Sequence, residues 1–351
     1  MFLNSCSAGN FLEHKSDSSD ISQLPIKYSI LFIIHGDGNY LYHDTNGKKH
    51  IADIEVQKKA EWIAKQNPQA EVFIFHRKPK EHFLFFLPKK DGEFYYYRNG
   101  QPIENKLYWN NQKKSNYETE AEFYKRYSVT NQNDLTRIFL YFGHEIPEHS
   151  LPGYDASYPE RIFTINTLST GLNKFTDDSS KFDLIILSTC YGGTPYTIGK
   201  LSPFTNFIIA SPENLHLSYF DLEPLKHLEL NLYKDDVNSF AKIFAKNAFE
   251  RLSKDVHTTV SIAVYDVKRV GEYINSVQKY YDTALTDIEE DSFSISTKKE
   301  RCDCADISEY RLPTINEGVD MFYRPPLFGR SNNKQTHSGW ECYSLNEKLN
   351  Q

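Results

Sequence analysis

Two side chains suited to covalent catalysis come directly after apolar runs that are typical of buried strands. His144 follows the run 137–142, and Cys190 follows the run 182–187. A thiol attacks a carbonyl carbon only as a thiolate, and a neighbouring imidazole can promote its ionisation and later protonate the leaving amine. Taken alone, Cys190 is more typical of a small buried apolar side chain. Together the two strand ends predict a nucleophile, Cys190, with His144 as its general base and acid.

The segments beside these strand ends predict how a substrate is held. Gly192 and Gly193 follow Cys190 and let backbone N–H groups approach a developing oxyanion without side-chain obstruction. The residues expected to present oxyanion-binding backbone groups are Gly143, Glu145, Tyr191 and Gly192. The side chains expected to line the substrate groove are Ser188, Ser211, Glu213 and, with a plain turn as the alternative, Asp37.

The elements that must position these residues alternate between buried strands and helices. Six apolar runs predict strands, at 28–34, 71–75, 137–142, 182–187, 207–210 and 258–266. Residues 51–66 predict a helix, and the apolar stripe from Val237 to Leu252 predicts an amphipathic one. The runs 83–87 and 94–97, with Asp-Gly and Asn-Gly as turns, predict a β-hairpin. The alternation favours an α/β domain with a largely parallel sheet, whose ligands bind at the carboxyl ends of the strands.

Composition divides the chain into three parts. Residues 1–25 are polar and rich in Ser and Asp after Cys6, and we interpret them as an N-terminal tether. Residues 26–290 hold the predicted strands and form the expected domain, with 98–120 as a polar surface insertion. Residues 291–351 are expected to form a linker and an irregular C-terminal extension packed on that domain.

The overall composition excludes several classes of protein. The 351 residues include 40 Lys and Arg against 47 Asp and Glu, a net charge of −7, so no basic face for nucleic acid is implied. No apolar run approaches the roughly 18 residues of a membrane span. The 5 cysteines are too few and too unevenly placed for a disulfide scaffold. We therefore expect neither a nucleic-acid-binding protein nor an integral membrane protein.

The order and spacing of these motifs resemble the caspase-like clan of cysteine peptidases, and within it the clostripain-like members. The clan pattern is an apolar strand ending in His-Gly and a later apolar strand ending in a small residue and Cys, and the runs to His144 and Cys190 match it. Segments 207–213, 259–266 and 304–307 add weaker matches, so the resemblance spans about residues 28–310. The resemblance implies a caspase-like three-layer α/β/α sandwich. It also implies a cysteine endopeptidase that cleaves peptide or protein substrates through a thioester acyl-enzyme.

Two positions depart from the family pattern. Glu145 stands where the family has Gly after the His, which restricts the backbone approach to an oxyanion and adds a carboxylate. Ser188 and Thr189 stand where clostripain-like enzymes have Asp-Ala, whose Asp selects basic side chains, so strict Arg specificity does not carry over. Two alternatives stay open: an inactive caspase-like protein that binds peptides in the same cleft, and an esterase or amidase that uses the same dyad. No cofactor is expected, and calcium is implied by the resemblance alone.

Two further clusters compete as sites. The segment 35–38, His-Gly-Asp-Gly, also follows a predicted strand and repeats the His-Gly dipeptide, but the clan places its dyad on later strands. The second cluster lies near the C-terminus, and its alternatives are a Cys₃His zinc site, a disulfide to Cys342, or unpaired surface thiols. Its residues are Cys302, Cys304, His337 and Cys342.

The N-terminus carries a motif of a different kind. Residues 3–6, Leu-Asn-Ser-Cys, have the form of a bacterial lipoprotein cleavage site, which makes Cys6 a candidate for lipidation ahead of the tether. Only Met1 and Phe2 precede the motif, whereas a cleavage site follows an apolar signal region. We therefore expect a location in the cell envelope, lipid-anchored or secreted, with a frayed N-terminus on a cytoplasmic enzyme as the alternative. A membrane is a partner only through that anchor.

Overall fold

The computed structural model describes eleven ranges of the chain, which are 24–37, 40–43, 47–83, 87–110, 116–129, 135–148, 154–176, 181–215, 221–232, 236–271 and 318–328. Nearly all of the predicted tether, the predicted linker and the candidate zinc or disulfide residues lie outside these ranges. The candidate residues concerned are Cys6, Cys302, Cys304, His337 and Cys342.

The described residues form thirteen strands and six α-helices. The strands are β1 (Tyr28–His35), β2 (Leu41–His43), β3 (Lys49–Ile51), β4 (Ala70–Arg77), β5 (His82–Phe83), β6 (Leu87–Pro88), β7 (Gly92–Arg98), β8 (Gln101–Tyr108), β9 (Thr136–Phe142), β10 (Phe182–Ser188), β11 (Thr205–Ala210), β12 (Val260–Asp266) and β13 (Val319–Arg324). The helices are α1 (Ala52–Lys65), α2 (Glu118–Tyr127), α3 (Ile165–Leu172), α4 (Pro195–Leu201), α5 (Leu228–Asn231) and α6 (Val237–Asp255).

Nine strands form the main sheet, in the order β13-β12-β11-β10-β9-β1-β4-β7-β8. The five central strands, β11, β10, β9, β1 and β4, are parallel. Two antiparallel strands flank them at each edge. The predicted mixed sheet with a largely parallel centre is confirmed.

Both faces of the central strands are buried, which explains their continuous apolar sequences. Side chains alternate between the faces, so Leu31 and Ile33 of β1 pack in one core together with residues of α2, α3 and α4. Ile30, Phe32 and Ile34 pack in the second core with residues of α1 and α6. The molecule is therefore a three-layer α/β/α sandwich, as the resemblance implied.

The structure differs from the sequence prediction at both edges of the sheet. Residues 101–108 of the predicted surface insertion form the edge strand β8, and residues 319–324 of the predicted irregular extension form β13. The Asn99-Gly100 turn joins β7 to β8, and positive φ angles of 52° and 75° at these residues suit a tight hairpin. β7 lies between β4 and β8, and the described ends of the predicted partner run, Phe83 and Leu87, pair with each other in a separate two-stranded sheet. Edge strands carry polar residues on their exposed side, and for that reason the sequence resembled a loop.

None of the helices in the described ranges is long and apolar enough to cross a membrane.

Candidate active site

Four loops meet at one edge of the sheet because the strands that precede them are parallel neighbours. Phe142 of β9 is in register with Ile34 of β1 and with Ser188 of β10. Leu187 of β10 is in register with Ala210 of β11. The loops that follow β1, β9, β10 and β11 therefore begin almost level with one another. They contain the residues that sequence analysis singled out for chemistry.

His144, in the loop after β9, is paired with a carboxylate from the loop after β1. Its Nε2 lies 3.0 Å from Oδ2 of Asp37. The Asp37 side chain is only 3% exposed, whereas the His144 side chain is 36% exposed. Tyr40 packs edge-on against the imidazole, with the ring centroids 4.6 Å apart. The imidazole is thus fixed on one side by a buried carboxylate and an aromatic ring while part of it reaches solvent.

Cys190, in the loop after β10, is half-buried and forms no disulfide. Its Sγ donates a hydrogen bond to Oδ1 of Asn214 at 3.1 Å. The backbone N–H of Leu215 in turn donates to Sγ at 3.4 Å. A donor aimed at sulfur favours a thiolate over a thiol. The loop after β11 therefore supplies both an acceptor for the proton and a donor for the charged form.

Thr189 and Tyr40 connect the histidine side of the site with the cysteine side. The buried Thr189 hydroxyl donates to the backbone carbonyl of His144 at 2.6 Å. Burial and the charges of Cys190 and Asp37 raise the pKa of the Tyr40 phenol well above its usual range. Its hydroxyl is buried and has no hydrogen-bond partner among the described residues. Tyr40 is therefore close enough to Asp37 and Cys190 for their charges to oppose ionisation of its phenol.

The conformation of the cysteine loop is fixed by the strand next to it. The N–H of Tyr191 donates to the carbonyl of Glu213 at 3.0 Å, and the N–H of Gly193 donates to the carbonyl of Ser211 at 2.8 Å. Tyr191 adopts a positive φ of 51°, which turns the chain directly after Cys190. A Cβ at Gly193 would lie 2.6 Å from the Tyr265 hydroxyl oxygen, so only glycine fits there.

Comparison with known proteins identifies the family. A model of the clostripain family matches residues 143–324, about half of the chain, and the match includes the loops of His144 and Cys190. The chain belongs to the clostripain family. This family of cysteine peptidases lies within the caspase-like clan, as the resemblance indicated. No curated protein matches the chain.

Solved structures of C11 cysteine proteases are similar to this chain at low sequence identity. A secreted C11 cysteine protease from Bacteroides thetaiotaomicron is 15% identical, with a TM-score of 0.49, over 71% of this chain and 69% of that one. The same protease in complex with an irreversible peptide inhibitor gives a TM-score of 0.47, at 15% identity over 71% and 68% of the two chains. An inactive zymogen C11 protease from Parabacteroides distasonis gives 0.46, at 15% identity over 71% and 64%.

The expected oxyanion residues of this clostripain-family chain are not equally placed to bind an anion. The Tyr191 N–H donates to the Glu213 carbonyl, and its expected contribution to an oxyanion site stays a prediction. Gly143 and Gly192 are buried, and a Cβ at Gly143 would lie 2.7 Å from the Tyr141 hydroxyl oxygen. Glu145 is half-buried beside His144. The contribution of Gly143, Glu145 and Gly192 to an oxyanion site stays a prediction.

Two of the expected groove residues stabilise the loop after β11 by hydrogen bonds, and a third is buried. Ser188, Ser211 and Glu213 are all buried. The Ser211 hydroxyl donates to the Glu213 carbonyl at 2.9 Å and accepts from the Glu213 N–H at 3.2 Å, and the Ser261 hydroxyl donates to Oε2 of Glu213 at 3.3 Å. These bonds hold the turn that carries Asn214. Of the four expected groove residues, Asp37 is the one whose side chain contacts His144.

The competing segment 35–38 is divided between two environments. His35 is buried, with Nε2 3.0 Å from Oδ2 of Asp155 and its ring stacked on Tyr154 at 4.7 Å. Burial lowers the pKa of His35, and the Asp155 hydrogen bond only partly offsets this effect. Asp37, two residues later, belongs to the His144 site. Among the described residues, no group of three or more His, Cys, Asp or Glu side chains is arranged to hold a metal ion.

Sequence analysis missed Tyr40, Thr189 and Asn214. Thr189 lies between the selected residues Ser188 and Cys190, and Asn214 directly follows the selected segment 207–213, so the position of the strand ends was a sufficient signal for including them. Tyr40 lies beyond the loop after β1, and neither periodicity nor a motif marks it.

Proposed function

We propose that the chain is a cysteine endopeptidase that cleaves peptide bonds through a thioester acyl-enzyme, with Cys190 as nucleophile and His144 as general base and acid. The observation that carries the proposal is the pairing of half-exposed His144 with buried Asp37, on loops next to the one that holds Cys190. The hydrogen bonds around Cys190 Sγ support the same assignment.

The first half of the reaction acylates the enzyme. The Cys190 thiol gives its proton to the His144 imidazole, and Sγ attacks the carbonyl carbon of the scissile bond. The resulting oxyanion is stabilised by donors near its oxygen, for which the backbone around Gly143 and Cys190 is the candidate source. His144 then protonates the leaving amine as the carbon–nitrogen bond breaks. The acyl group remains on Sγ as a thioester.

The second half of the reaction releases the acyl group. A water molecule gives a proton to His144 and attacks the thioester carbon, and the carbon–sulfur bond breaks as the proton returns to Sγ. Asp37 acts as a positioning residue in both halves, because a carboxylate at Nε2 orients the ring and stabilises the positive charge it acquires. With Nε2 engaged, Nδ1 is the ring nitrogen that exchanges protons with sulfur and water.

Two variants of Cys190 test the proposal. Cys190→Ala should abolish hydrolysis of a mixed peptide library that is not limited to Arg before the scissile bond. Cys190→Ser keeps a weaker nucleophile and serves as the matched control for folding and peptide binding. In the wild-type chain, rapid acid quenching should trap a mass increase equal to the acyl group on the peptide that contains Cys190. Full hydrolysis by Cys190→Ala would show that the assignment is wrong.

The same experiment separates the alternatives. An inactive peptide-binding protein would bind the library with equal affinity in wild-type, Cys190→Ala and Cys190→Ser chains and would release no product. An esterase or amidase would hydrolyse small esters or simple amides and leave peptides intact. Peptide cleavage that depends on Cys190 excludes both.

The proposal also includes a location for the protein, which is attachment to the cell envelope through Cys6. The support is the Leu-Asn-Ser-Cys motif at residues 3–6, followed at once by a polar segment. Lipid chains on Cys6 would contribute about 0.8 kcal/mol of membrane binding per buried CH₂ group. An upstream in-frame start with basic and apolar codons would support the anchor. An immediate upstream stop codon would contradict it.

A further inference from the structure

The edge strand β8 exposes an apolar row at the end of the sheet remote from β13. Ile103, Leu107 and Trp109 are 55%, 54% and 46% exposed, and they alternate along the strand with residues that contact α2. On that second face, Lys106 contacts Tyr127 of α2. Large apolar side chains on a strand edge are a ready surface for pairing with another strand.

The backbone of β8 also directs polar groups away from the sheet. The N–H of Asn105 donates to its neighbour, Oε1 of Glu104, at 3.2 Å. The carbonyl of Leu107 accepts from the ammonium group of Lys90 at 3.1 Å. Both partners are side chains rather than backbone groups of β7: Lys90 is exposed, and Glu104 is partly buried. At Asn105 and Leu107 the strand therefore carries a hydrogen-bonding group that an incoming strand can take over from a side chain.

The sequence of β8 is complementary to itself in one antiparallel register. If a two-fold axis passes at Asn105, then Asn105 faces Asn105 of the second copy. Glu104 then faces Lys106 of the second copy, and Ile103 faces Leu107. Within residues 103–107 each apolar residue meets an apolar residue and each charge meets its opposite, and each pair except the central one occurs twice. Trp109, outside this stretch, faces Gln101 of the second copy. Such cross-strand pairs each stabilise an antiparallel ladder.

We infer that β8 is a homodimer interface in which two copies of this chain join their sheets edge to edge. A closed two-fold dimer uses the same patch on both copies, and self-complementarity is what such an interface requires. An edge kept monomeric by charge would present charges that repel in this register. Glu104 and Lys106, which pair with each other at 2.7 Å within one chain, each face the opposite charge of the second copy. Pro102 lies outside the central register of 103 to 107, so its missing N–H leaves this pairing intact.

The interface leaves the candidate active site untouched. β8 is separated from β1 by β7 and β4, and from β9 and β10 by β1 as well. Each copy keeps its own Cys190 and His144 loops, so peptide hydrolysis per chain serves as a measure of folding that is independent of dimerisation.

A backbone substitution tests the pairing most sharply. Sedimentation equilibrium of the full chain should give a dimer for the wild type and a monomer for Asn105→Pro. This substitution removes one N–H that does not bond to β7. Asn105→Ala keeps that N–H and should remain dimeric. Peptide hydrolysis per chain should agree among the three, which separates lost association from lost folding, because dimer formation itself raises the melting temperature.

A charge exchange provides a second test. Glu104→Lys alone places like charges opposite each other twice and should weaken dimerisation roughly tenfold or more. The double variant Glu104→Lys with Lys106→Glu restores opposite charges in the two-fold register and should recover wild-type association. A wild-type chain that stays monomeric at every soluble concentration would overturn the inference. So would a dimer unaffected by Asn105→Pro, a double variant no better than the single one, or an open series of larger oligomers.

Discussion

His35 is the last residue of β1, and His144 lies two residues after the neighbouring parallel strand β9; each is next to a glycine and about 3.0 Å from an aspartate oxygen. Their surroundings differ. His35 and Asp155 are both 1% exposed, and Asp155 also accepts from Arg161 at 3.1 Å. His144 is 36% exposed and lies next to the loop of Cys190. An imidazole–carboxylate pair is thus not in itself a catalytic feature, and solvent access together with a neighbouring nucleophile makes the difference.

The electrostatics of the buried pair show why it is structural. Burial alone would raise the pKa of Asp155, but hydrogen bonds from His35 and Ser157 and the charge of Arg161 lower it well below its usual range. Asp155 is therefore a fixed carboxylate with its oxygens engaged. His35 is held neutral by its burial. Neither group is placed to exchange a proton with a substrate.

Replacing each of the two histidines separately with glutamine should give the largest difference in activity between the two sites. His144→Gln should lower kcat/KM for peptide hydrolysis by about 10²- to 10⁴-fold with little change in melting temperature, because it removes the general base and acid. His35→Gln should leave the activity of the folded fraction near that of the wild type and lower the melting temperature. A catalytic loss equal in both variants would contradict the distinction.

Removing the buried carboxylate should mainly cost stability. Asp155→Ala leaves Arg161 buried without this partner and is expected to lower the free energy of unfolding by about 3–5 kcal/mol, measured by urea denaturation. Ser157→Ala removes one hydrogen bond to Asp155 and should cost only about 1 kcal/mol. Equal losses in the two variants would show that Asp155 does not anchor the cluster.

Loss of the contact between His144 and Asp37 should lower catalysis rather than stability. Asp37→Asn keeps the size of the side chain but removes the charge at His144 Nε2, and we expect kcat to fall roughly 10- to 100-fold with a smaller change in KM. The pH profile of kcat should shift as well, which a purely structural role would not produce. An unchanged profile with an unchanged kcat would remove Asp37 from the mechanism.

The contributions of the buried residues His35 and His76 to the free energy of unfolding should change in opposite directions with pH. Burial lowers the pKa of His35, so its contribution is present above the ordinary value of 6.5 and is lost as pH falls. Burial alone would lower the pKa of His76, but the hydrogen bond with Asp53 and the nearby carboxylate of Glu93 raise it. Its contribution is therefore present below 6.5 and is lost as pH rises through the folded-state pKa.

Urea denaturation between pH 5 and 8 measures this contrast. The difference between wild type and His35→Gln should shrink on acidification, and that between wild type and His76→Gln should shrink towards alkaline pH. Each slope should reach at most about 1.4 kcal/mol per pH unit, the value for one proton. Slopes of the same sign would show that the two imidazoles have the same environment.

The strand ends could be predicted from sequence, whereas the pairing at the site could not. The runs before His144 and Cys190 are continuously apolar because both faces of their strands are buried, and this pattern located both residues at one sheet edge. The contact of Asp37 with His144 depends on the conformation of a loop, which no periodicity encodes. For the same reason the hydrogen bond from the Tyr191 N–H to a carbonyl of the next loop could not be predicted.

The edges of the sheet were the least predictable part of the fold. β8 carries Glu104, Asn105 and Lys106 in a row, and this polarity indicated a loop because an edge strand can satisfy its polar side chains in solvent. β13 lies far along the chain from β12, and its pairing is a long-range contact that short sequence windows do not report.

The most direct test of the central claim measures how fast Cys190 reacts with iodoacetamide, at mildly acidic pH, by mass spectrometry of the peptide that contains it. A thiol activated by His144 in the Asp37-paired site should be alkylated at least roughly tenfold faster than glutathione. The His144→Gln variant should bring the rate down to that of glutathione, and His35→Gln should leave it unchanged. A Cys190 that reacts no faster than glutathione in the wild type, or equally fast without His144, would contradict the account.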